Sequence, residues 1–270
     1  MEPLIQRNQE GLPAPRQQDV GKELAKKIRD RSARVGVIGL GYVGLPLTLE
    51  MAKEGFQVTG IDIDRQKVDS INAGISYILD VPSETLLPFV VEQRIRATQS
   101  LAAVEDVDAV NICVPTPLRK TKDPDLSYVI AAAEAVQNHL RPGQLIVLES
   151  TTYPGTTCEV VLPILERSGL QVGKDFFLAY SPERVDPGNR SYTTRDIPKV
   201  IGGTTSHCTE LAALFYQQFV EGVIRVSSPE TAEMVKLLEN TFRSVNIALA
   251  NELALMCHRL GINVWEVIEA

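Results

Sequence analysis

Apolar and polar positions follow two regimes along the chain. From Arg34 onward, short runs rich in Val and Ile ("VGVIGL", "VTGID", "DAVNICV", "LIVLEST", "FFLAYSP", "KVIGG") alternate with longer stretches whose apolar residues recur every three to four positions ("LPLTLEMAKEG", "RQKVDSINAG", "LSYVIAAAEAVQNHL", "TTCEVVLPILERSG"). The short runs read as strands and the longer stretches as helices. Strands joined by helices imply right-handed crossovers, so the alternation predicts an α/β architecture: a doubly wound, mostly parallel sheet covered on both faces. After the helical "CTELAALFYQQF" and the short run "VIRVSS" the regime changes. From Pro229 to about Leu260 one helical pattern continues, and Met234, Leu238, Phe242, Val245, Leu249, Leu253 and Met256 form an apolar stripe along it. Gly261 ends that helix, and "NVWEVIEA" opens another. The pattern divides the chain into a tail expected to be disordered (1–18), an α/β domain entered through the charged helix "VGKELAKKIRDRSA" (19–228), and the start of a helical domain (229–270).

Composition narrows the function classes. With 44% hydrophobic and 23% charged residues the chain has material for a globular core. A net charge of -7 argues against nucleic acid as the main partner. No apolar run approaches a membrane span, and "MEPLIQRNQEGLPAPRQQDV" lacks the apolar core of a secretory signal, so the expected location is the cytoplasm with no membrane partner. Cys113, Cys158, Cys208 and Cys257 lie far apart without a C-x-x-C pair. His207–Cys208 and Cys257–His258 are sequence neighbours, whose side chains diverge; no metal site is expected.

One stretch carries explicit chemistry. Gly39-Leu-Gly41-Tyr-Val-Gly44 fits G-x-G-x-x-G between a predicted strand and a predicted helix. The first glycine serves the tight turn and the second lets backbone approach a pyrophosphate. The third lets helix and strand pack closely, while free N–H groups at the helix start favour the anion. Asp62 ends the following strand, where a carboxylate can bind both ribose hydroxyls and repel a 2′-phosphate. The pair predicts a Rossmann-like dinucleotide site that takes NAD in preference to NADP.

Further segments sit at predicted strand ends, the edge where open α/β sheets bind ligands: "CVPTPL" (113–118), "ESTTYPGTT" (149–157) and "YSPERVDPGN" (180–189). Together with "EMVKLLENTFRSVNIALANELA" on the long helix, they resemble the nucleotide-sugar 6-dehydrogenases, the UDP-glucose/GDP-mannose dehydrogenase family, from Arg34 to Ala270. "GISYILDVPSE", "TPLRKTKDPDLSYV" and "LENTFRSVNIALANEL" are most similar to the branch acting on UDP-N-acetylhexosamines, with UDP-N-acetylglucosamine favoured over UDP-N-acetylmannosamine or UDP-glucose. The resemblance implies oxidation of a C6 alcohol to a carboxylate by two hydride transfers to two NAD molecules, for surface polysaccharide precursors. The intermediates it implies are an aldehyde and a cysteine thioester.

By the same resemblance, Gly39, Gly41, Tyr42, Val43, Gly44, Asp62 and Lys67 contact the cofactor, and Val114, Pro115, Thr116, Pro117 and Thr151 line its nicotinamide side. Thr116 lies near the reacting water, Glu183 assists hydrolysis, and Lys236 and Asn240 steady the oxyanion. Read from spacing alone, Lys236, Asn240 and Arg243 share one helix face at i, i+4 and i+7, where they form either a donor array or a solvated stripe. Arg243 is suggested to select the acetamido sugar or to reach a partner subunit's site; its plain alternative is an ion pair with Glu239 or Glu233. Glu183 and Arg184 join these in the expected substrate site.

Two departures qualify the resemblance. Relatives acting on UDP-glucose usually carry a second acid four residues after this glutamate; Pro187 stands there, with Asp186 as a substitute candidate. The family's nucleophilic cysteine lies in a G-x-C-x-P-x-D pattern that these 270 residues do not contain. The chain is therefore expected to be an N-terminal part lacking the UDP-binding domain, able to bind NAD and inactive alone, with the long helix forming a homodimer. The alternative of another class is a non-catalytic NAD-binding, dimerising module.

Overall fold

The computed structural model describes residues 20–121, 123–184 and 195–270. The expected tail 1–18, and Asp186 and Pro187, lie outside the described residues. Helix α1 (Val20–Arg29) precedes β1 (Arg34–Ile38), α2 (Gly44–Lys53), β2 (Gln57–Ile61), α3 (Arg65–Asn72), α4 (Ser83–Val91) and β3 (Ile95–Thr98). Then come β4 (Ala109–Ile112), α5 (Ser127–His139), β5 (Leu145–Leu148), α6 (Leu162–Glu166), β6 (Phe177–Tyr180), β7 (Lys199–Gly203), α7 (Ser206–Tyr216) and β8 (Val223–Arg225). The chain closes with α8 (Pro229–Leu260) and α9 (Val264–Glu269).

Among the described residues, eight strands form one sheet in the order β3-β2-β1-β4-β5-β6-β7-β8. All neighbours are parallel except β6 and β7, where Ala179 and Tyr180 oppose Gly203 and Gly202. The expected doubly wound, Rossmann-like sheet is present. Strands β4, β5 and β6 are buried at every position, as sheets covered on both faces require. Successive side chains feed opposite cores. Leu145, Val147, Phe177 and Ala179 pack with α1, α2 and α7 residues, whereas Ile146, Leu148, Leu178 and Tyr180 pack with α5 and α6 residues.

Local differences from the sequence reading have identifiable causes. Strand β3 and helix α4 were not anticipated. Helix α4 carries Pro88 inside it, and β3 buries only Ile95 and Ala97 of its four residues, too few to register as an apolar run. The expected helix over "TTCEVVLPILERSG" begins as a π-helical turn at Thr156–Val161 before α6. Helix α8 spans 32 residues, roughly 48 Å at 1.5 Å per residue.

Candidate active site

The site sits where β1, β2, β4, β5 and β6 present their C-terminal ends. A cleft of about 730 Å³ opens there. At one side the turn after β1 is forced by its glycines. Gly39 has φ 93°, and a Cβ on Gly44 would stand 1.9 Å from the Gly39 carbonyl oxygen. A Cβ on Gly41 meets nothing within 4 Å, so its backbone faces open cleft: space left for a group that approaches the main chain closely. The cleft wall includes Gly39, Gly41, Tyr42 and Val43. Gly44 lies behind it, at the packing contact.

Asp62 is buried at 7% exposure and organised by its surroundings. Its Oδ2 accepts from Leu40 N at 2.8 Å and from Lys67 Nζ at 3.3 Å, and its Oδ1 accepts from Asp64 N at 2.9 Å. The carboxylate therefore anchors the glycine turn and α3 together at the cleft edge. Tyr77, which sequence reasoning missed, donates from its hydroxyl to the Leu40 carbonyl at 2.6 Å and braces the same turn.

Four strand positions separate β2 from β6, a lateral span of roughly 19 Å at 4.8 Å per strand. Across it, the loops after β4 and β5 are pinned to each other: Thr116 Oγ1 donates to the Thr151 carbonyl at 2.7 Å, and Ser150 Oγ to the Val114 carbonyl at 2.7 Å. Val114, Pro115, Thr116 and Thr151 line the cleft, and Pro117 is not among the lining residues. Cys113, Glu149, Ser150 and Glu183 also line this end. Burial, and next to it the charge of Glu149, pushes the Cys113 thiol well above its ordinary pKa, so it stays protonated.

Below Glu183 lies a charged cluster that sequence reasoning missed. Lys199, 2% exposed, donates to Glu149 Oε2 at 2.7 Å and to Glu183 Oε2 at 2.9 Å. Glu149 Oε1 accepts from Tyr216 OH at 2.5 Å and from Asn111 Nδ2 at 2.7 Å. Burial alone would lower the Lys199 pKa, but the two carboxylates outweigh it and hold the ammonium above its ordinary value. The one sequence signal was Asn111, a polar residue inside a wholly buried strand. Glu149 and Lys199 stand at strand ends, where charge is commonplace.

Helix α8 approaches from the side. Lys236 is buried, and its ammonium donates to the Glu183 carbonyl oxygen, so the polar positions of this helix are no simple solvated stripe. Burial lowers the Lys236 pKa, against the opposing charges of Glu183 and Glu239. Asn240 follows one turn on, partly buried. Arg184 pairs with Glu239 at 2.6 Å and lines, with Phe242 and Arg243, a second cleft of about 650 Å³. Glu233 faces inward, accepting from Gly155 N at 2.7 Å, Thr157 N at 2.9 Å and Thr157 Oγ1 at 2.7 Å.

The sequence matches two descriptions: UDP-glucose/GDP-mannose dehydrogenase family, NAD binding domain, over residues 33–220, and the same family's central domain over residues 230–270. It is 40% identical over 237 residues to a UDP-N-acetyl-D-mannosamine dehydrogenase of Pyrococcus horikoshii, covering 87% of this chain and 56% of that protein. It is 38% identical over 242 residues to a UDP-N-acetyl-D-glucosamine 6-dehydrogenase of Pseudomonas aeruginosa, covering 89% of this chain and 56% of that one. The solved structure of a P. horikoshii UDP-D-ManNAc dehydrogenase superposes with a TM-score of 0.82 at 40% identity, covering 87% of this chain and 56% of that one. The chain spans about half the length of the curated relatives it matches.

Proposed function

Because this chain belongs to the UDP-glucose/GDP-mannose dehydrogenase family, whose NAD-binding domain it contains, we propose that it forms the NAD-binding part of an enzyme oxidising the C6 alcohol of a UDP-N-acetylhexosamine to the carboxylate. The observation that carries this reading is the meeting of Lys236 with Glu183: a buried cation on α8 is brought to the end of the cleft farthest from Asp62. A purely cofactor-binding, dimerising module has no use for that arrangement.

The residues present fit NAD. The turn Gly39–Gly44 and the N–H groups at the start of α2 offer a pyrophosphate seat, and the open face of Gly41 leaves the room. Asp62 and Lys67 take the ribose side, and Val114 to Thr116 with Thr151 the nicotinamide side. NAD held by these residues would supply the hydride acceptor for C6. The hydroxyl proton leaves separately, and Lys236 with Asn240 supplies the donors for the developing alkoxide; one preorganised donor of this kind is worth about 3 kcal/mol in barrier. Thr116 and Glu183 bracket the position for the later water attack. Arg184 and Arg243 line the second cleft, on the side from which the sugar nucleotide enters, and Arg243 contributes to choosing the acetamido sugar. The division at 228/229 separates the NAD-binding domain from a helical domain that pairs two copies through the exposed face of α8, in a cytoplasmic enzyme.

UDP-N-acetylglucosamine is the favoured substrate, and UDP-N-acetylmannosamine the nearest competitor. The full-length protein, given NAD and a panel of UDP-N-acetylglucosamine, UDP-N-acetylmannosamine and UDP-glucose, is expected to form two NADH per acetamido uronate. Absence of NADH with every sugar, or a preference for UDP-glucose, contradicts the reading.

A further inference from the structure

The cluster beneath the cleft contains more charge than packing needs. Two carboxylates and one ammonium are taken out of water together, an arrangement that costs several kcal/mol per ion unless every group is engaged. Here each is. Glu149 accepts from Lys199, Tyr216 and Asn111, and Lys199 divides itself between Glu149 and Glu183. The remaining Glu183 oxygen, Oε1, accepts from Arg184 N at 2.7 Å. Glu183 and Glu149 both line the cleft, Glu183 being the more exposed of the two, while Lys199, Asn111 and Tyr216 lie behind them. The deep end closes on Tyr216, fully buried and packed edge-on against Phe215. A relay that ends in a sealed aromatic core has no outlet for a proton, so the cluster holds Glu183 instead of draining it.

We propose that Lys199 is the positioning residue of this site: shared between Glu149 and Glu183, it fixes where the Glu183 carboxylate sits and how readily it carries its charge. Glu149 acts as a counterweight. By occupying half of the ammonium, it keeps Lys199 from engaging Glu183 too strongly for a group that must handle protons. Other groups facing Glu183 include Lys236 from α8, its own neighbour Arg184 and Cys113 from the loop after β4, while Tyr216 from α7 meets Glu149. Cys113 and Tyr216 are kept neutral, both chiefly by burial and next by Glu149, so the balance rests on Lys199, Lys236, Arg184 and Glu149.

This inference deepens the dehydrogenase reading and rests on it for its kinetic test, which measures kcat against pH in the full-length enzyme. Lys199→Met leaves two carboxylates without their shared cation, and the acid limb of the profile is expected to move up by about 1–3 pH units, with kcat at neutral pH reduced at least tenfold. Glu149→Gln gives Lys199 wholly to Glu183, and the limb is expected to move down. The double variant returns toward the wild-type limb. A merely structural cluster predicts lower thermal stability without displacement of the limb; unmoved limbs, or limbs displaced in the same direction, overturn the proposal. If Lys199→Met does not fold, the downward displacement in Glu149→Gln decides alone. If the wild-type protein oxidises no UDP-sugar, the functional reading fails by itself. The carboxyl titration of Glu183 is then followed in the full-length protein labelled with δ-13C glutamate and assigned by its loss in Glu183→Gln. The same opposite displacements are expected there, and their absence refutes the role of Lys199.

Discussion

The first two turns of α8 and the rest of the same helix are both amphipathic, yet their surroundings differ completely. Pro229, Ala232, Glu233 and Lys236 are buried against the α/β body, with Glu233 capping the loop after β5 and Lys236 reaching Glu183. The apolar stripe is open along its whole length: Met234, Leu238, Phe242 and Val245 are 53%, 66%, 69% and 61% exposed, and Leu249, Leu253 and Met256 are also exposed. Only Cys257 among the later residues of this helix is buried. Helix α9 adds Trp265, Val267 and Ile268 to the exposed apolar surface. Exposed apolar surface of this kind is characteristic of interaction surfaces. The contrast teaches that amphipathicity identifies a helix's sticky face without saying what covers it. In the first turns this chain's own body covers a different set of positions, Ala232, Glu233 and Lys236, and leaves the stripe's Met234 53% exposed.

The sharpest way to break the comparison is at the body itself. Gly44→Ala would drive a methyl to 1.9 Å from the Gly39 carbonyl, backbone against backbone, and is expected to unfold the turn and abolish NAD binding by calorimetry. Glu233→Ala comes next. It strands two backbone N–H groups and a hydroxyl in a buried site, for an expected loss of about 3 kcal/mol in urea unfolding. On the open stretch of the helix, Leu238→Ser with Phe242→Ser should change monomer stability by less than about 0.5 kcal/mol each while weakening self-association in sedimentation. An equal loss of stability from both halves would refute the distinction between them.

The smallest expected effect concerns α1. Burial raises the pKa of Asp108, but hydrogen bonds from Arg34 N, Arg141 and Lys27 outweigh it, and the net shift is downward. The stabilising contribution is present above the unfolded value of 3.8 and fades as pH falls through the lower folded value. Protection of the α1 amides relative to intrinsic exchange should therefore hold steady on acidification to about the unfolded value of 3.8 and fall between it and the lower folded value, and Asp108→Asn should remove that fall.

Most of the fold was legible because its determinants are local. The runs in β1, β2, β4, β5, β6 and β7 announce buried parallel strands, and the three glycines answer a turn that tolerates little else. Helix α4 and strand β3 escaped because Pro88 and two exposed strand positions blurred the period. The cleft-lining part of the candidate site was readable for the same local reason: Asp62, Val114 to Thr116 and Thr151 follow strands directly.

What the sequence by itself determined is therefore the alternation of elements, the glycine turn and its acidic companion, and the family to which these belong. Tertiary structure alone decided that Lys199 lies between Glu149 and Glu183, partners 50 and 16 residues away, and that Lys236 turns inward to Glu183 across 53 residues. A charged residue at a strand end or on a helix is ordinarily solvated, and its side chain is indifferent to its sequence neighbours. Whether it is buried, and with which opposite charge, depends on which strands the crossovers set side by side. No local pattern records that.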